Sequence, residues 1–348
     1  MAGVGRLREY AVPALIVAGA IAALAAALGI AGYDPELALG ALWRGSVGSF
    51  DAFASGTLVR AVPLIIIALG FALALRGGML NIGAEGQFLA GAVAATWLGT
   101  HLAGWPALLA IPATWLVALA AGLLWIVVPV VLRVKYGVLE VITTLLLNFV
   151  AEALVSFMVQ GPLQEQTGIY PQSDPIAEAA RLPLLPGTRL HLGIGVALIL
   201  AVVLWFFFAR TLAGFRLLAA GSGPRAAALA GRIDVTRMAA LALLVSGALA
   251  GLAGATEVGG VSYALYPNLS PGYGFTAIAV ALLARLHPPA IVVTGILFGA
   301  LETGAGAMQR DAGIPAVVVQ AVEAAIILAL LLADARTHRG RAYAGAAA

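Results

Sequence analysis

Apolar stretches of about the length needed to cross a lipid bilayer follow one another along nearly all of this 348-residue chain, and they set the fold class before any other feature does. A helix needs roughly 20 apolar residues to cross a hydrocarbon core of about 30 Å. Ten membrane segments are expected, at residues 11–30, 61–75, 88–102, 107–132, 141–159, 192–209, 238–258, 275–286, 291–301 and 316–333. They leave no room for a sizeable soluble domain, so the chain reads as one transmembrane domain, an all-α polytopic helical bundle. Its composition agrees: 62% hydrophobic and 10% charged residues lie far from soluble usage of about 25% charged.

The first apolar run follows Arg6 and Arg8 as in a signal peptide, but Tyr33, Asp34 and Pro35 come after it with no clear cleavage box. It reads as a retained signal-anchor helix. Ten segments put both termini on one side. If that side is cytoplasmic it carries 14 of the 19 basic residues, among them Arg76, Arg133, Lys135 and the arginines of 210–237, as the positive-inside rule requires. Topology therefore accounts for the net charge of +3, and no separate basic patch suggests nucleic acid. There is no cysteine, and the four histidines lack ligand spacing, so neither a disulfide nor a metal site is expected.

Between two of the apolar runs lies GGMLNIGAEGQ, residues 77–87. Hydrocarbon cannot satisfy its polar groups, so the segment should be enclosed by protein or face a wet cavity. Thr144, Asn148 and Glu152, spaced by four, form a polar stripe on the segment 141–159, and Asn81 and Glu85 share that spacing if their segment is helical. Asn81, Glu85, Gln87, Thr144, Asn148 and Glu152 are the expected border of a path for a polar solute. Glu257, Glu302, Gln320 and Glu323 are further polar residues within spans.

Segments 61–75, 275–286 and 291–301 are too short to cross, and the last two flank Arg285, His287, Pro288 and Pro289 as a broken or re-entrant pair would. Short, interrupted segments in both halves point to an internal inverted repeat around a central site. Small residues recur every four positions at Gly86, Ala90 and Ala94, at Gly247 and Gly251, and at Gly295, Gly299 and Thr303, which predicts close helix packing. An interfacial helix is expected within 30–60, and an ordered external loop in the proline-rich stretch 161–191.

The only lysine is Lys135, so the phosphate loop GxxxxGK[ST] is impossible and any ATP hydrolysis must come from another polypeptide. GSGPRA at 221–226 has no preceding strand to make it a dinucleotide loop, and no serine-hydrolase elbow is present. No enzyme and no cofactor are expected. In the basic connection 210–237, a helix over RAAALAG would set Ala226, Ala227 and Ala230 on one small-residue surface between Arg225 and Arg232, suited to docking a cytoplasmic protein.

Five ordered stretches, GGMLNIGAEGQFLAGA, GVLEVITTLLLN, GFRLLAAGSGPRAAALAG, SGALAGLAGATEV and YGFTAIAVALLARLHP, resemble the permease subunits of ABC importers, most closely the group serving nucleosides and related simple sugars. The resemblance implies an ATPase subunit on the cytoplasmic face, a second permease subunit and a substrate-binding lipoprotein outside. It also implies that 210–237 carries the coupling helix, which assigns ATPase coupling to Gly214, Arg216, Arg225, Ala226, Ala227 and Gly231. Arg225 departs from the family's EAAxxxG pattern, where glutamate is usual. The NIGAEGQ wording resembles the nucleoside group more than the ribose group. The rival reading from the residues is a proton-coupled transporter relaying through Glu152, Glu257 or Glu323.

Overall fold

The computed structural model describes residues 28–315, together with 22, 25, 26, 318, 321, 324, 325 and 328. Most of segment 11–30, much of 316–333, and Gln320 and Glu323 lie outside the described residues. About 74% is helix, and no strand occurs among the described residues beyond one bridge between Leu184 and His191. Among the described residues six helices are long and apolar enough to cross a membrane: Ala52–Arg76, Ala107–Tyr136, Glu140–Val159, Gly193–Arg210, Val235–Ser262 and Pro288–Asp311. The protein is a multi-pass membrane protein.

The chain forms two compact units, Met1–Thr57 with Gly299–Ala348, and Leu58–Phe298. In the first, helix α1 (Pro35–Ser46) starts where the Asp34 carboxylate accepts from the backbone N–H groups of Glu36 and Leu37 and proline takes a position whose N–H would have no helical partner. It contributes to a core of Leu28, Ala38, Ala41, Ala305, Met308 and Ile314. The Thr57 hydroxyl, in the π-helical turn Ala52–Thr57, donates to the Ser46 carbonyl at 2.7 Å.

The second unit contains α2 (Leu58–Arg76), α3 (Ala84–Gly99), α4 (Ala107–Tyr136), α5 (Glu140–Val159), α6 (Gly193–Arg210), α7 (Leu212–Ser222), α8 (Pro224–Gly231), α9 (Val235–Glu257) and α10 (Tyr273–Leu283). Helix α2 is apolar all round and buried along nearly its whole length, as an encased helix should be. Helix α9 is the hub, packed against α2, α3 and α4. Glycines permit this. A Cβ on Gly122 of α4 would run into the Gly247 carbonyl, one on Gly251 into the Ala118 carbonyl, and one on Gly254 into the Phe88 carbonyl. The Gly247 and Gly251 repeat thus marks a backbone-to-backbone seam.

Two segments expected to be short are long. The segment 61–75 is part of a helix of 25 residues, Ala52–Arg76, because polar residues that end the apolar run are satisfied internally: Thr57 by Ser46, and Arg60 by the Tyr273 hydroxyl at 2.6 Å. The segment 291–301 belongs to α11 (Pro288–Asp311, 24 residues), which carries both prolines in its first turn, where they remove no helical hydrogen bond. Its Thr303 hydroxyl folds back onto the Gly299 carbonyl at 2.8 Å. Helix α10 does remain short, at 11 residues, and the chain leaves it through Arg285 and Leu286, both at positive φ.

The stretch 161–191 is an ordered loop. Backbone N–H groups of Ser173, Ile176 and Leu182 donate to carbonyls of Leu265, Tyr263 and Gly259. Glu165 gathers the Thr167 hydroxyl, the Gln172 amide and the Tyr170 N–H, and these bonds to the ionised form hold its carboxyl below the usual range.

Candidate functional site

The polar interruption is shorter than the sequence suggests. Residues 77–83 are non-helical, and helix α3 resumes at Ala84, with Glu85 in its first turn where the positive end of the helix dipole favours a carboxylate. Asn81 therefore sits in the loop, and does not share a helical face with Glu85.

Most of the polar side chains here bond to each other. The Asn81 amide donates to the Gln87 carbonyl oxygen at 2.8 Å and to the Ser246 hydroxyl at 2.9 Å, while Gln87 donates back to Asn81 at 3.0 Å. Asn148 of α5 accepts from the Gly86 N–H at 2.9 Å and donates to the Ile82 carbonyl at 3.0 Å, so one amide stitches α5 to the start of α3. Gly83 packs against Thr144, whose hydroxyl is turned onto the Glu140 carbonyl at 2.7 Å. Asn81, Gln87, Thr144 and Asn148 are all buried. They solve the problem the loop creates, pairing polar groups that hydrocarbon would leave bare.

Glu152 behaves differently. Each step of four residues turns a helix by about 40° beyond a full circle, so two steps from Thr144 carry Glu152 about 80° off the buried face. The side chain is exposed. It lines a cavity of about 380 Å³ together with the polar residues Glu85, Ser156, Asn268 and Ser270 and the apolar residues Leu89, Phe149, Val155 and Leu269. Glu85 is anchored at the cavity edge by the N–H of Gly274, at 2.6 Å, so that the first turns of α3 and α10 converge on one carboxylate. Of the six expected path residues, the structure brings Glu85 and Glu152 to a shared cavity and buries the other four among hydrogen-bond partners.

Sequence reasoning passed over Ser156, Ser246, Asn268, Ser270 and Gly274. The signal for Asn268 and Ser270 was the polar turn PNLS between apolar segments. Nothing local marks Gly274. Glu257 is buried in the field of the Arg60 guanidinium and is not among the residues lining the cavity, and Glu302 belongs to the other unit.

The basic connection folds as α7 and α8. Ala227 turns inward, and Arg225, Ala226, Gly231 and Arg232 are exposed, as is Leu229, 86% accessible between the two arginines. The expected surface is thus split, because Ala226 and Ala227 are neighbours about 100° apart on the helix. Gly214 is buried against the Phe207 carbonyl and Arg216 is exposed.

Residues 53–333 match the family described as the branched-chain amino acid transport system permease component. The chain belongs to this permease family. The permease is 37% identical over 336 residues to the glucose ABC transporter permease protein TsgB13 of Haloferax volcanii, covering 93% of this chain and 88% of that protein. It is 37% identical over 329 residues to the guanosine ABC transporter permease protein NupP of Bacillus subtilis, covering 93% and 94%. To the nucleoside ABC transporter permease protein NupB of Lactococcus lactis it is 34% identical over 306 residues, covering 85% and 83%. No solved structure matches the permease. Membership of an ABC permease family implies an ATPase subunit and a substrate-binding partner.

Proposed function

We propose that this permease imports nucleosides, and that its solute passes the cavity bordered by Glu85 and Glu152. The observation that carries this is the exposed Glu152 carboxylate, seven residues from the end of a 20-residue spanning helix. A carboxylate at such depth costs about 3 kcal/mol or more against lipid, so that face borders water or a partner subunit. The polar residues of the lining offer oxygen acceptors and hydroxyls, and the apolar ones include Phe149 and two leucines. Such a mixed lining suits an uncharged solute that carries hydroxyls and a flat ring whose faces can stack on an aromatic side chain. Two carboxylates repel a phosphate. Among the relatives, the guanosine and nucleoside permeases of B. subtilis and L. lactis support this class, with the glucose permease of H. volcanii as support for a simple sugar.

On this reading both termini are cytoplasmic, and the 210–237 loop docks the ATPase through α8, with Leu229 as an apolar anchor among arginines. Gly214, Arg216, Arg225, Ala226, Ala227 and Gly231 shape that contact. A second, non-identical permease completes the membrane part, and a lipoprotein outside delivers the solute. Asn81, Gln87, Thr144 and Asn148 hold the cavity wall in place, within a single permease domain.

The test is uptake of labelled guanosine by cells expressing the complete importer. Glu152→Leu is expected to reduce uptake at unchanged membrane abundance, and uptake should need the ATPase and survive collapse of the proton gradient. Normal uptake by both Glu85→Leu and Glu152→Leu would remove the cavity from the path.

A further inference from the structure

The end of α7 rests on the polar interruption backbone to backbone. A Cβ on Gly221 would run into the carbonyl oxygen of Arg76, the last residue of α2, and would come within 3.1 Å of the Gly78 N–H nitrogen. The contact is reciprocal: a Cβ on Gly78, whose φ is +89°, would come 3.4 Å from the Gly221 Cα. Beside it, Leu217 of α7 reaches to within 3.0 Å of where a Cβ on Gly77 would lie. The far end of α7 is pinned to α6, where Gly214 lies on the Phe207 carbonyl, and the Arg76 guanidinium stacks over Phe208 at 4.7 Å. Alongside the contact lies a cavity of about 440 Å³, with Met79, Arg133, Ala220, Pro224 and Thr236 among its lining residues.

We propose that Gly221 is the positioning residue that transmits motion of the ATPase-docking helix α8 to the 77–83 loop and so to Glu85; this rests on the reading of 210–237 as the ATPase contact. Two peptide backbones in contact form a stiff joint, because neither has rotamers with which to yield, and only glycine allows the approach. Gly221 lies three residues before α8, and Gly78 seven residues before Glu85, along a loop braced by Asn81. The cavity beside the joint gives the loop room to move when α7 is displaced. A side chain at position 221 would wedge the two backbones apart, so α8 could move while the loop stayed behind.

The test uses the complete importer in proteoliposomes, with guanosine or glucose, whichever the wild type accumulates. It compares Gly221→Ala with Gly223→Ala, a position where a Cβ would meet only the Ala226 methyl at 3.8 Å. Gly221→Ala is expected to keep ATPase association and hydrolysis while solute moved per ATP falls about tenfold, within the range of coupling between distant sites. Gly223→Ala should keep the wild-type ratio. A wild-type ratio in Gly221→Ala overturns the joint. Should that variant fail to assemble, a reducible cross-link between Met79→Cys and Ala220→Cys decides, since the chain has no cysteine of its own. Undisturbed transport in the cross-linked protein supports the joint, because the link only ties together two backbones that move as one, and hydrolysis without transport, reversed by reduction, overturns it. Absence of an ATPase from the purified wild-type importer would instead sink the docking reading.

Discussion

Asn81 and Gln87 exchange two hydrogen bonds, at 2.8 and 3.0 Å, through side chains that are both buried. Replacing Asn81 by leucine strands the Gln87 amide and the Ser246 hydroxyl, and each unsatisfied buried group costs about 1–3 kcal/mol. Asn81→Leu and Gln87→Leu should each lower the melting temperature in detergent. The double variant should be less destabilised than the sum of the two, because neither partner is then left behind. Strict additivity in a thermal unfolding assay would show that the pair is not a unit.

Glu152 is exposed and makes no packing contribution comparable to its buried neighbours, so Glu152→Gln should change stability by no more than about 0.5 kcal/mol. On the proposed function its effect belongs to the solute path. Guanosine 5′-phosphate should not compete with guanosine in the wild-type importer, and should compete measurably in Glu85→Gln/Glu152→Gln once the two charges facing the cavity are gone. Competition kinetics in vesicles with the receptor bypassed read this directly.

His191 is fully buried beneath Gly260 and Gly193, and burial pushes its pKa down from 6.5 to about 4. Between those values the unfolded chain binds a proton that the folded chain refuses, so stability rises with pH there. The contribution is fully present above about pH 6.5 and is lost as pH falls towards 4, at most about 3 kcal/mol. His191→Phe should flatten that acid limb in melting curves taken from pH 7 to 4, and an unchanged limb would exonerate His191.

Leu229 stands 86% accessible between Arg225 and Arg232. An apolar anchor in a partner's cleft is worth about 2 kcal/mol, so Leu229→Asp should weaken ATPase retention about thirtyfold during affinity purification, with the fold intact. Equal retention would move the docking contact elsewhere on the loop.

At the seam between α4 and α9, Gly122→Val should cost about 3 kcal/mol or more, because a side chain there meets the Gly247 carbonyl and the Gly251 Cα and neither can rotate away. Yield of folded protein by gel filtration in detergent checks this, and a wild-type elution profile would contradict it.

The membrane helices were legible because hydrocarbon imposes a length and a composition on anything that crosses it. Boundaries at 107, 141 and 192 fell within one residue of α4, α5 and α6 for that reason. The extent of α2 and α11 was not legible, since Arg60, Thr57 and Thr303 look like the end of an apolar run until their partners are known. The small-residue repeat at Gly247 and Gly251 was legible as close packing, but not which helix would fill it.

Composition, run length and a single lysine are enough to specify an all-helical membrane protein with polar groups held at depth and no GxxxxGK[ST] loop. Which polar residues face a cavity follows from the packing of the helices. Asn81, Gln87, Thr144 and Asn148 lie against partners 6 to 165 residues away or within their own turn, while Glu152 is turned outward beside Glu85. Whether a polar side chain is satisfied depends on what approaches it through space, and spacing along one helix carries no record of that.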